Sequence, residues 1–226
     1  MSAPRKPVFR AAVATNVGNV RTNNEDSYHY DVRRGLFIVS DGMGGHAGGE
    51  VASALTVDAV AASLEHASGD MRQDVLAAIR TANDAVNEEG RQSPGLKGLG
   101  ATVVMGAAGG WNLFVAHVGD SRAYMFGDGR FGRITKDHKR GQYLDQAIGQ
   151  ARVRPDITAI EMRPGDVFLL CSDGLTDMVN DDGIRHVMQS TSTENLQANC
   201  YRLIDAALML GGVDNVTIVM FIPEVR

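Results

Sequence analysis

An α+β layered sandwich is the fold class this 226-residue sequence predicts, on three observations. Seven short β-type runs bounded by Gly, Asp or Asn are spread along the chain. Gly-Gly and Asp-Gly steps lie between or after neighbouring runs, and three alanine-rich stretches repeat their apolar residues at helical spacing. Taken in order, runs 9–15 and 36–40 are followed by two stretches, 50–64 and 71–89, with apolar residues three and four apart and no internal proline. These are adjacent helices. Runs 102–107 and 113–118 flank Gly109-Gly110, and run 122–126 leads into Asp128-Gly129. Both steps have hairpin chemistry, so the sheets are antiparallel. Run 167–172 comes next, then a third helical stretch, 194–210, which stops at Gly211-Gly212 before the last run, 216–222. So many apolar strands exceed what one half-exposed sheet can hide, which calls for sheets packed face to face with helices outside.

No composition break, charge run or linker divides the chain, so residues 1–226 read as a single domain. An apolar fraction of 44% with 22% charged residues is that of a globular protein able to bury a core. A net charge of −5 argues against non-specific nucleic-acid binding, which requires basic clustering. The longest apolar stretches, 167–171 and 216–222, fall short of the roughly 18 to 20 residues of a membrane span. Residues 1–10 carry no apolar signal-peptide core, and the two absences together point to the cytoplasm. Cys171 and Cys200 lack C-x-x-C spacing, so neither a disulfide framework nor a zinc ribbon has support. Cys171 also fails as an anion-attacking nucleophile of the tyrosine-phosphatase kind, because Asp173 and Asp177 follow it where such a thiolate needs an anion-binding arginine just downstream.

The acidic residues carry the chemistry. Two apolar runs each end on Ser-Asp-Gly, at Ser40-Asp41-Gly42 and Ser172-Asp173-Gly174. Run 113–118 ends on Gly119-Asp120-Ser121-Arg122, Asp214-Asn215 precedes the last run, and Glu25-Asp26 precedes Ser27-Tyr28. One Asp-Gly step is ordinarily a turn. Several carboxylates at the ends of core strands are another matter, because sharing one rim without cations would be costly. Oxygen-only ligands select hard ions such as Mg²⁺ or Mn²⁺, whereas zinc would recruit His or Cys. The histidines are scattered: His117 reads as a core residue, His29, His66 and His186 as surface positions. His46 and His138 alone lie near the acidic motifs, as candidates to orient ligands.

In order, Arg21-Thr22-Asn23-Asn24-Glu25-Asp26, Asp41-Gly42-Met43-Gly44-Gly45-His46, Gly119-Asp120-Ser121-Arg122, Ser172-Asp173-Gly174-Leu175-Thr176-Asp177 and Asp214-Asn215 resemble the signature motifs of bacterial PPM (PP2C-type) phosphatases. The resemblance runs from about residue 8 to residue 222. It implies a four-layer αββα sandwich, two antiparallel sheets flanked by helices, with metals at one edge. It implies hydrolysis of phosphoserine and phosphothreonine in proteins by a metal-bound water, opposing a bacterial serine/threonine kinase. Asp41 is then the carboxylate bridging two ions, Gly42 contributes its carbonyl, and Asp173 and Asp214 complete the neighbouring ion. Glu25 and Asp26 bind metal directly or through water. Asp120 and Asp177, with Asp173 shared, match a third and weaker site, and Arg21 matches the arginine that grips the substrate phosphate.

Four departures from the family pattern stand out. Met43 replaces a histidine of eukaryotic members, so leaving-group protonation must come from elsewhere. Asn16 replaces a frequent aspartate, and Lys139 replaces a serine; neither is expected to touch the presumed ligands. The interval 139–148 is much shorter than the usual flap-bearing region, with room for a short helix or turn and an open cleft beside it. The rival readings are a pseudophosphatase that binds phosphoproteins without turnover, and a two-metal nuclease. Every matched acidic position is occupied, which counts against the first, and no basic stripe is present to favour the second.

Overall fold

Apolar runs without alternation, such as 36–39 and 167–171, can be strands only if both faces are covered. The computed structural model, which describes residues 6–44, 48–66, 68–141 and 143–225, covers both. In chain order its first strands are β1 (Pro7–Asn16), β2 (Asp26–Asp31) and β3 (Leu36–Met43), followed by helices α1 (Gly48–Ser63) and α2 (Met71–Gln92). Next come β4 (Gly100–Ala101), β5 (Val103–Gly109), β6 (Asn112–Val118), β7 (Arg122–Gly127) and β8 (Arg130–Arg133). Then follow β9 (Lys139–Arg140), β10 (Tyr143–Leu144), β11 (Asp156–Glu161) and β12 (Val167–Cys171). Helices α3 (Asp173–Thr176), α4 (Asp181–Gln189) and α5 (Leu196–Met209) lead to β13 (Val216–Val225).

One sheet runs β1-β13-β12-β7-β8 and the other β11-β6-β5-β3-β2, with β4 paired to β3. All pairings are antiparallel. The expected hairpins form, and Asp128 and Gly129 take φ of 50° and 70°, the left-handed pair that a type I′ turn demands. Strand pleat then sorts the side chains into layers. Val167, Leu169 and Cys171 pack under α4 and α5, while Phe168 and Leu170 point between the sheets. Leu36 and Ile38 pack under α1 and α2, while Phe37 and Val39 point inward. In the central layer Phe37 stacks on Phe221 at 3.7 Å between ring centroids, and Phe168 on Phe221 at 5.1 Å. The result is the four-layer αββα sandwich the sequence predicts. Among the described residues no helix is long and apolar enough to cross a membrane.

The elements absent from the sequence reading are polar or short. β2 and β11 are the two edges of their sheet, one neighbour each, and carry few apolar side chains. α4 opens on the polar Asp181-Asp182-Gly183, where Asn180 caps it by accepting from Gly183 N at 2.9 Å, and Ile184, Val187 and Met188 bury its one apolar face. Among its described residues the interval 139–148 forms no helix. It holds the β9–β10 hairpin, with Lys139 opposite Leu144.

Candidate metal centre

Strand pairing brings the first two carboxylates together. Asp26 on β2 stands directly opposite Asp41 on β3, a like-charge pair that is destabilising unless a cation lies against it. Asp41 is two residues past Val39, so the pleat turns it into the gap between the sheets. Asp173 enters that gap from the other sheet, where β12 passes into α3, and its carboxyl is in hydrogen-bonding contact with that of Asp41. Arg21, Glu25, Asp41, Gly42, Asp120, Asp173 and Asp214 all line one cleft of about 680 Å³. Asp26 lies behind it, and Asp177 is exposed at the end of α3.

Several hydrogen bonds fix this arrangement, and most come from residues that the motifs contain but whose task the sequence does not reveal. Asn215 donates to the carbonyls of Val17 and Asn23, both at 2.9 Å, and accepts from Glu25 N at 2.8 Å. Ser172 Oγ donates to Asp26 Oδ2 at 2.8 Å and accepts from Thr217 N at 2.9 Å. Thr102 Oγ1 accepts from Asp41 N at 3.0 Å. The glycine of each Ser-Asp-Gly is required by close backbone approach: a Cβ on Gly42 would collide with the Gly49 carbonyl, and one on Gly174 with that of Asn215. At the rim Arg21 Nη2 meets Asp214 Oδ2 at 2.9 Å, with 55% of the arginine side chain exposed.

Electrostatically the cleft is a set of acids held too close. Burial, then Asp26 and Asp173, push the Asp41 carboxyl well above the usual carboxylate range. Burial, then Asp120 and Asp177, raise Asp173 to about 7. Burial raises Asp26 to about 6 against hydrogen bonds from Thr217 and Ser172, and burial also raises Glu25. Asp26 Oδ1 is buried with no hydrogen-bond partner, which a folded protein rarely tolerates unless something else binds there. Divalent cations suit this donor set: hard oxygens only, an orphaned buried carboxylate oxygen, and crowded negative charge.

A second cluster needs a different account. Among the described residues, His117, His138 and Asp156 bring ligand atoms within 4.8 Å of one another. Their lone pairs are largely committed. His138 Nδ1 accepts from Gly119 N at 3.3 Å, leaving the proton on Nε2, 3.3 Å from Asp156 Oδ2. His117 Nε2 donates to the Lys136 carbonyl at 2.7 Å, and burial lowers its pKa, as befits a core histidine. His138 therefore holds Gly119, the residue before Asp120, in place. His46 lies outside the described residues.

One expectation is corrected here. Lys139 does touch a presumed ligand: its Nζ is 3.1 Å from Asp120 Oδ2. Beside 139–148 the cleft is lined by Tyr143 and Leu144 of the hairpin, with Tyr143 82% exposed. A two-residue strand with one apolar side chain carries too little pattern to be read from sequence. Cys171 behaves as expected, buried on the helix side of β12 with its thiol pushed up to about 12 by burial. Cys171→Ser should leave kcat within about twofold of the parent in a folded variant, and a phosphopeptide assay checks this; loss of turnover would instead favour a thiol mechanism.

Residues 19–206 match the family described as "Protein phosphatase 2C". The chain is 37% identical to "Serine/threonine protein phosphatase PstP" of Mycobacterium tuberculosis over 94% of its own length, and spans 45% of that relative's. It is 32% identical to "Putative protein phosphatase 2C-type" of Streptococcus pyogenes, covering 94% of this chain and 96% of the other. A crystal structure of the catalytic domain of PstP in complex with two manganese ions superposes with a TM-score of 0.88. It is 38% identical and covers 96% of this chain and 99% of the other.

Proposed function

This chain belongs to the protein phosphatase 2C family, and from that premise we propose that it hydrolyses phosphoserine and phosphothreonine in proteins, using two divalent cations held in the acidic cleft. The observation that carries the reading is the convergence of Asp41 and Asp173 from opposite sheets, beside Asp214, Glu25 and the orphaned oxygen of Asp26. Asp41 would be shared between the two ions, Asp173 and Asp214 would hold one of them, and Glu25, Asp26 and the Gly42 carbonyl the other. When bound, Mg²⁺ or Mn²⁺ in such a pair lowers the pKa of water and neutralises phosphoryl charge. The protein fixes the carboxylates so that no rearrangement is needed during reaction. Met43 lines the cleft and cannot donate a proton, so no side chain at that position protonates the leaving group.

Arg21 would bind the substrate phosphate. It is the arginine at the cleft rim, half exposed and anchored at one nitrogen by Asp214, which leaves other N–H donors of its fork for a phosphate oxygen. Arg21→Ala should raise KM about tenfold with a smaller fall in kcat, as for an interaction made in ground and transition states alike. Steady-state kinetics on a phosphopeptide measures it; an unchanged kcat/KM would leave Arg21 a solvated side chain.

The substrates we propose are phosphoproteins, the targets of a bacterial serine/threonine kinase, met in the cytoplasm by a single catalytic domain whose core spans about residues 8–222. A panel of phosphopeptide, aryl phosphate and nucleic acid substrates with added Mn²⁺ tests the reading. Turnover of phosphopeptide is the expected result. Binding without turnover would instead make it a regulatory module, and cleavage of nucleic acid alone would make it a nuclease.

A further inference from the structure

The acidic cleft contains more negative charge than two ions and Arg21 offset at one of its ends. Asp173 is shared between the gap and a second group of acids, Asp120 and Asp177, whose charges act on it directly. Asp120 is buried, 7% exposed, and a bare carboxylate there would be costly. What meets it is an ammonium of the same chain. Lys139 Nζ lies 3.1 Å from Asp120 Oδ2, with side-chain exposures of 27% and 10%.

We propose that Lys139 is a built-in cation that takes the place a third divalent ion would need at Asp120, Asp173 and Asp177, so that this protein works with two ions and not three. The inference rests on the two-ion reading above and revises the weaker third site that the family resemblance implies. The lysine is delivered by anchored neighbours. Asp137 is gripped by Arg122 through Nε at 3.1 Å and Nη2 at 2.8 Å, and is paired with Arg133 as well. His138 N donates to the Gly119 carbonyl at 2.9 Å, its carbonyl accepts from Asp145 N at 2.7 Å, and Lys139 itself sits in the β9–β10 ladder. The backbone on both sides is thus set, and the side chain crosses to Asp120 with little freedom left to lose. A carboxylate already paired at close range is a poor ligand, since an approaching dication must both displace the ammonium and lie beside it.

The test is metal stoichiometry, which does not depend on turnover. Mn²⁺ titration followed by electron paramagnetic resonance and calorimetry should count two ions in the parent protein and in Lys139→Arg. Lys139→Ser should add a third, weaker ion, and Asp120→Asn in that background should remove it again. A third ion in the parent that Asp120→Asn removes would overturn the proposal, as would a Lys139→Ser variant that still holds only two. Because the count is made on folded protein, Lys139→Arg and thermal melting guard against a variant that simply misfolds. Fewer than two ions in the parent would defeat the two-ion centre itself, a failure distinct from the presence of a third.

Discussion

Asp41→Asn is expected to lower kcat by about three orders of magnitude at saturating Mn²⁺ while leaving the fold intact. A ligand shared by two ions contributes several kcal/mol of transition-state stabilisation, and each 1.36 kcal/mol is about tenfold in rate. An amide keeps one oxygen but loses the charge and the second anionic donor, so it cannot hold both ions. In ion-stripped protein the same change removes a repulsion, because Asp41 faces Asp26 across the β2–β3 ladder and touches Asp173. The variant should therefore melt no lower than the stripped parent. Melting curves together with kcat decide the matter: a folded variant within tenfold of parental kcat would remove Asp41 from the chemistry.

Stripping the ions should abolish turnover and also reverse how stability depends on pH. Asp26 and Asp173 have folded pKa values raised to about 6 and about 7, against an ordinary 3.8. Between about pH 4 and 7 the folded chain then binds more protons than the unfolded one, so the stripped protein loses stability as pH rises through that window. With ions bound the sign changes, since the carboxylates must shed those protons to act as ligands and binding strengthens with pH. Thermal melts at pH 5 and pH 8 should show the stripped protein falling by on the order of 10 °C and the Mn²⁺-saturated protein rising. Parallel curves with and without metal, or full activity in excess chelator, would contradict a metal centre at these acids.

Much of this was legible in the sequence because it lies in long apolar strands and in turns with fixed chemistry. Runs 36–40 and 167–172 announce both the double-sided burial and the aspartates at their ends, and Gly109-Gly110 and Asp128-Gly129 announce antiparallel neighbours. What stayed hidden depends on partners far away in the chain. β2 is a polar edge strand whose only structural signal is its pairing with β3, so the Asp26–Asp41 opposition cannot be read locally. The tasks of Asn215 and Ser172 depend on groups that only the folded chain brings near. Lys139 looked neutral for the same reason: nineteen residues separate it from Asp120, and the hairpin that aims it has two residues in each strand.

The ties made by Asn215 also set a schedule for the newborn protein. That one side chain binds Val17, Asn23 and Glu25, and β13 zips onto β1 from Val216 opposite Asn16 to Val225 opposite Pro7. The ligand-bearing segment around Glu25 thus cannot settle until residues some two hundred positions later have left the ribosome. Closing so long a loop is slow, and nothing local rewards it in advance. A chain still in synthesis can therefore form α1, α2 and the strands around them, yet it cannot gather the acids into a cleft. Metal capture at these acids therefore waits until β13 has emerged and paired with β1.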